Sequence, residues 1–119
     1  MAGILDQARQ LGNALARTDE YQALRRAMKD ADDDREIAEL RTELDGLEAS
    51  ISTALRAQQE PAKEEAEAYE AAIAKLQANP TYQRLVAGQT NFDKVLQKVN
   101  QTISEGIQEA QDSKIILAP

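Results

Sequence analysis

An all-α fold is what this sequence predicts: an elongated antiparallel bundle of about five helices, the last one long and heptad-patterned. Three observations lead there. The strong helix formers Ala, Glu, Gln, Leu, Arg and Lys dominate, and aromatic residues make up only 3% of the chain. Three Pro and five Gly are too few to supply the turns of a many-stranded sheet protein. Apolar residues recur three and four apart along most of the chain, the period of one helix face. The 119 residues suffice for one domain with a modest core. We place that domain at residues 1–112 and an apolar tail at residues 113–119.

The first helix is expected from Gly3 to Arg17, with Ile4, Leu5, Ala8, Leu11 and Leu15 on one face. Thr18 reads as the N-cap of a short second helix, since its hydroxyl can accept from a free backbone N–H. Asp19 and Glu20 then sit at the positive end of that helix dipole. Tyr21, Leu24 and Met28 are its expected buried face.

KDADDD, residues 29–34, concentrates four Asp in five positions. A calcium loop of the EF-hand type needs Gly at its sixth place and an acidic residue at its twelfth. Counted from Asp30, those places hold Arg35 and Arg41, so no metal site is expected. The run is better explained by Asp32 or Asp33 capping a third helix, with the other Asp residues in its first turn. That helix is expected from about Asp34 to Gln58, with Ile37, Leu40, Leu44, Leu47, Ile51 and Ala54 forming a narrow stripe. Arg35–Glu39 and Arg41–Asp45 are spaced to pair across its solvent face.

QQEP at residues 58–61 breaks the pattern, and Pro61 suits the first turn of a new helix. The fourth helix carries Ala66, Tyr69, Ile73 and Leu76, a thin face that permits close approach of a neighbour. Asn79–Pro80 is the sharpest punctuation in the chain: Asn is a strong N-cap, and Pro at the first helical position has its φ already set. From Pro80 the last helix is expected to run to about Gln111, roughly 45 Å.

Two seven-residue ladders lie along that helix: Tyr82, Gln89, Leu96, Ile103, and Leu85, Phe92, Val99, Gly106. Val86, Val95 and Ile107 widen the stripe to about half the circumference. One neighbouring helix covers roughly 100° of surface, so a stripe this wide asks for more than one partner. Self-association is therefore expected over a self-sufficient monomeric bundle. Within the stripe, Gly88 costs about 1 kcal/mol relative to Ala, and a close helix contact would account for it. Gln89 stands on a ladder position, where it either fixes register between helices or lies solvated at an exposed stretch. Ile115, Ile116 and Leu117 near the C-terminus either dock in a groove or remain untethered.

Composition also narrows the function. Fourteen basic against twenty-one acidic residues give a net charge of −7, a field that repels a phosphate backbone. The basic pair Arg25–Arg26 reads as solvated helix face, so no direct nucleic-acid binding is expected. The chain contains neither Cys nor His, which removes disulfides, thiolate and imidazole metal ligands, Cys nucleophiles and His general bases together. Tyr21, Tyr69, Tyr82, the carboxylates and Lys remain, and no pair of them has a spacing diagnostic of catalysis. No enzyme activity and no cofactor are expected. MAGILDQARQ has neither a basic nor an apolar segment of the secretory type, and no stretch approaches a membrane span, so a cytoplasmic location is expected.

The order of elements is that of a known family. TDEYQALRRA, an acidic step into a long helix, a Pro break and NPTYQRLVAGQTNFDKVLQKVNQTISEGI together resemble the YlbF/YmcA family of small bacterial all-helical proteins, over about residues 4–108. The resemblance implies helical bundles that form homodimers or mixed complexes with related subunits. It further implies adaptors, without an active site, in regulatory assemblies linked to RNase Y-dependent mRNA processing, competence, biofilm formation and sporulation. Carried over by position, the interaction surface is Leu85, Phe92, Leu96, Val99 and Ile103, and our reading of the stripe adds Gly88 and Gln89. Members that hold an iron–sulfur cluster use Cys ligands, and this chain, having none, resembles the short Cys-free members. A second reading is a holdase-like or packing subunit that clamps clients between long helices.

Overall fold

The junctions between helices set the course of this chain. The computed structural model describes the backbone of residues 1–117 and the side chains of residues 1–112. Five helices follow one another: α1 (Ala2–Ala16), α2 (Asp19–Asp32), α3 (Arg35–Arg56), α4 (Lys63–Ala78) and α5 (Pro80–Leu117). α2 packs along α5 and α3 along α4, so the chain runs out through α2 and α3 and returns through α4 and α5. The result is a long bent hairpin, 72 × 37 × 25 Å.

Two junctions use the same device. At the start of α2, Thr18 Oγ1 accepts from the Tyr21 N–H at 3.2 Å, and Gln22 Nε2 donates back to the Ala16 carbonyl at 2.7 Å. At the start of α5, Asn79 Oδ1 accepts from the Tyr82 N–H at 3.0 Å, and Gln83 Nε2 donates back to the Gln77 carbonyl at 2.9 Å. Each cap satisfies an orphan donor of the new helix, and each Gln satisfies an orphan acceptor of the old one. This is the physical content of the shared outline TDEYQ and NPTYQ. Asn79 does more: it is buried, and its Nδ2 donates to Glu36 Oε1 at 2.8 Å, tying the α4–α5 corner to the first turn of α3.

The hairpin tip closes differently. Gln58 adopts φ 59°, while the Gln59 N–H reaches the Ala54 carbonyl at 2.9 Å and the Gln58 N–H reaches Leu55 O at 3.1 Å. That pair of bonds is a Schellman motif with Gln in place of the usual Gly. Pro61 follows it outside any helix, just before the α4 N-cap Ala62, and not in the first turn of α4 as expected.

The core sits where α2, α3, α4 and α5 meet. It holds Leu24, Ala27 and Ala31 of α2; Ile37, Leu40 and Leu44 of α3; Ala72 and Leu76 of α4; and Leu85 of α5. Tyr69, Ile73, Tyr82 and Phe92 pack against it, half-buried. Several expectations are corrected here. Met28 is exposed, because the face of α2 that meets its neighbours runs through Leu24, Ala27 and Ala31, whose small side chains allow close helix approach. Ala66 is likewise exposed, and Ala72 takes the buried place on α4. The α3 cap is Asp34, whose Oδ1 accepts from the Ile37 N–H at 2.9 Å, and not Asp32 or Asp33. Burial of Ala31 accompanies an α2 that stays helical through Asp32, which moves the α3 cap one or two residues beyond the expected position. Among the described residues the single ion pair is Arg35–Glu39 at 3.3 Å, solvent-exposed and worth about a few tenths of a kcal/mol. Arg41 and Asp45 do not pair. α5 continues to Leu117, beyond the expected end near Gln111. Docking of the apolar residues 115–117 concerns side chains outside the described residues.

Candidate interaction surface

The apolar stripe of α5 divides into a covered half and an open half. In the covered half, Leu85 is buried in the core. Gly88 lies against α2 so closely that a Cβ there would stand 3.2 Å from the Leu24 Cα. Phe92 meets Tyr21 edge to face, ring centroids 5.1 Å apart at 61°, a geometry aromatic pairs favour. These three residues belong chiefly to the contact between α2 and α5 of one chain.

Beyond Phe92 the cover thins. Val95, Leu96 and Val99 are half-buried, and Ile103 and Ile107 are 49% and 65% exposed. Gln89, expected on a ladder of the core, is exposed on the single chain. The sequence-predicted surface is therefore not one site. Leu85 and Gly88 hold the hairpin together, Phe92 marks the boundary, and Leu96, Val99 and Ile103 begin an open face.

The opposite wall of that open face is α1. Its apolar stripe is well formed, yet none of its residues is buried: Ile4 is 61% exposed, Leu5 58% and Leu11 38%. Sequence periodicity assigned this face correctly but placed it inside a bundle. α1 instead meets α2 only sparsely, past the break at Arg17–Thr18. Between α1 and the distal half of α5 lies a groove of about 660 Å³, lined by Leu11, Val95, Val99, Thr102 and Ile103, with Lys94, Lys98, Asn91 and Glu20 at its rim. Its apolar floor and polar edges have the makeup of a protein-binding surface.

A smaller groove of about 430 Å³ lies at the hairpin tip between Ile51, Leu55, Ala66 and Tyr69. Its rim is acidic, and the Tyr69 hydroxyl donates to Glu48 Oε1 at 3.2 Å. That hydrogen bond, reinforced by the carboxylate's negative charge and by partial burial, raises the Tyr69 pKa above its ordinary value. Ser50 nearby donates to the carboxylate of Glu65 at 2.8–2.9 Å and helps hold α3 to α4. Among the described residues no cluster of three or more acidic side chains is arranged to hold a metal ion, and no buried side-chain polar atom lacks a hydrogen-bond partner. No helix among them is long and apolar enough to cross a membrane.

Comparison with known proteins agrees with this architecture. A "UPF0342 protein" of Lactobacillus acidophilus is 29% identical over 107 residues, covering 90% of this chain and 92% of its own length. Relatives of the same name in Staphylococcus saprophyticus and Leuconostoc citreum are 27% and 22% identical, over 89% and 90% of this chain and 93% and 91% of their own. A solved structure, "Protein of Unknown Function (DUF964) from Bacillus stearothermophilus", shares the fold with a TM-score of 0.62 at 21% identity, covering 92% of this chain and 96% of that one. A family model described as "Control of competence regulator ComK, YlbF/YmcA" matches residues 4–108. Nearly the whole hairpin, from α1 into the distal half of α5, falls inside that match, and the chain belongs to the YlbF/YmcA family.

Proposed function

We propose that this chain is a non-catalytic protein–protein interaction module, a cytoplasmic homo-oligomeric regulator or adaptor of the YlbF/YmcA type. One observation carries the reading. The chain exposes 9386 Å², whereas a compact monomer of its mass exposes about 6,400 Å². Its radius of gyration is 22.2 Å, against about 13.5 Å for a compact domain of this length. The excess, on the order of 3,000 Å², comfortably exceeds the roughly 800 Å² that each partner contributes to a standard interface. Apolar faces on α1 and distal α5 fall within that excess. Family membership supports a regulatory role, in competence or the related processes of mRNA processing, biofilm formation and sporulation, exercised by docking related helical subunits or a ribonuclease complex.

Light scattering coupled to size separation tests the reading directly. A mass that is a multiple of 13.1 kDa at micromolar concentration is expected. A strictly monomeric particle there overturns it. The apolar groove also suits the second reading, a holdase-like subunit, because unfolded clients bind exposed apolar surface. Stoichiometric suppression of client aggregation by the purified protein would favour that reading over a specific adaptor.

A further inference from the structure

The groove between α1 and α5 and the bare stripe of α1 are two unsatisfied features of one chain. Together they specify an occupant. We propose that α1 of one copy seats in the α1–α5 groove of a second copy and reciprocally, so that two α1 helices and two distal α5 segments close an intermolecular four-helix bundle. This rests on the self-association proposed above and goes further by naming the segment that enters and the place it enters.

Three observations argue for it. The first is shape. A solvent-open groove of about 660 Å³ with an apolar lining has room for the side chains of an inserted helix. The fifteen residues of α1 span about 22 Å, and Val95 to Ile107 span about 18 Å along α5. A helix of α1's length therefore covers the open half of the stripe in one pass.

The second is closure. Donor helix and acceptor groove lie on the same chain at the same end of the hairpin, so a two-fold axis satisfies both copies at once and leaves no dangling face. Helices packed in this way at shallow angles form the ordinary four-helix arrangement, with apolar residues three and four apart facing inward. Ile4, Ala8, Leu11 and Leu15 have that spacing on α1, with Leu5 beside them, as do Val99, Ile103 and Ile107 on α5.

The third is charge. Two copies of a chain with net charge −7 repel each other on average. That charge is unevenly placed: residues 35–78 hold ten acidic and five basic side chains, while residues 79–119 hold four of each and α1 holds one of each. Joining the copies through α1 and distal α5 brings near-neutral surfaces together and keeps the acidic α3–α4 tips apart. Lys94 and Lys98 at the groove rim face no like-charged cluster on the incoming helix, whose charges are Asp6 and Arg9.

The absence of cysteine makes the test clean, because any disulfide formed reports only on introduced residues. Chains carrying Leu5→Cys or Leu11→Cys are mixed with tagged chains carrying Val99→Cys, Ile103→Cys or Ile107→Cys and mildly oxidised, and doubly substituted chains are oxidised alone. The expected result is a covalent dimer joining α1 of one copy to α5 of the other, in preference to a link within the doubly substituted chain. A link confined to one chain would mean that α1 closes on its own α5, and would overturn the proposal. So would a dimer by light scattering with no α1–α5 link in any pair, although self-association itself would then stand. A monomer by light scattering removes the reading beneath it. As a second arm, the full-length double variant Leu5→Gln, Leu11→Gln alters only side chains exposed on the single chain, so its helicity is expected to be unchanged. Its dimer dissociation constant is expected to rise by about a hundredfold or more. An unchanged constant overturns the proposal.

Discussion

Replacing Asn79 by Ala separates two contributions that meet at one buried side chain. Asn79 is only 6% exposed. Its Oδ1 caps α5 through the Tyr82 N–H, and its Nδ2 binds the Glu36 carboxylate on α3. Loss of an N-cap costs about 1 kcal/mol. A hydrogen bond to a carboxylate is worth about 1.5–3 kcal/mol when sheltered, and we take about 1 because Glu36 is exposed. The backbone at Asn79 (φ −72°, ψ 121°) suits Ala equally, so strain adds nothing. Asn79→Ala is thus expected to destabilise by about 2 kcal/mol, lowering the melting temperature by roughly 8 °C. Urea unfolding at one fixed protein concentration measures it, since self-association would make stability concentration-dependent. Asn79→Asp divides the effect. The cap is kept, and the helix dipole favours the added charge, but the donor to Glu36 becomes a second carboxylate. That variant should lose about 1 kcal/mol, and adding Glu36→Gln should restore most of the loss by supplying a new donor. A cost below about 0.5 kcal/mol for Asn79→Ala, or no rescue of Asn79→Asp by Glu36→Gln, would refute the two-part account.

Gly88→Leu should destabilise by about 1–3 kcal/mol by forcing α2 away from α5 at Leu24. Gly46→Ala, where a Cβ meets open space within α3, should stabilise by up to about 1 kcal/mol; urea midpoints measure both. Gln58→Gly should stabilise by about 0.5–1 kcal/mol, because Gly adopts the left-handed conformation of the Schellman turn without steric cost; thermal melting of the pair reads this. Tyr69 should ionise at higher pH than an ordinary phenol, and Glu48→Gln should bring it down, as followed by phenolate absorbance. The folded state holds this proton more tightly than the unfolded chain. Its contribution to stability is therefore complete below the unfolded-state pKa and is lost as the pH rises through the folded-state value.

How much of this was legible in the sequence follows from what each signal measures. Capping residues and Pro act locally, so the helix starts at Thr18 and Asn79–Pro80 could be read directly, as could the order of elements. KDADDD misled by one or two residues because burial of Ala31 holds α2 together through two aspartates that its dipole disfavours. Met28 misled because hydrophobicity alone ranks it above Ala27, whereas the close α2–α5 contact at Gly88 favours the smaller side chain. Periodicity also cannot say who covers a face. The stripe of α1 was visible, but its lack of any buried residue depends on where the Arg17–Thr18 break sends the helix. The back-bonding of Gln22 and Gln83 was missed, although a Gln after Tyr at both junctions was the available signal.

Those twin junctions connect fold to assembly. Tyr21 against Phe92 and Leu24 against Gly88 fix α2 along α5 in antiparallel register. The start of α2 therefore lies beside the point on α5 where cover runs out. Continued straight, α1 would extend that pairing, with Leu11 falling near Ile103; the lining of the groove by both residues shows that this register is kept. What is absent is close contact, because the Thr18 junction turns the chain before α1 can press onto α5. The same capping device that makes α2 a discrete helix thus leaves an apolar wedge open. A chain that buried this wedge within itself would be a longer, self-sufficient bundle. Left open at its less acidic end, that wedge is the surface on which the proposed pairing of two copies rests.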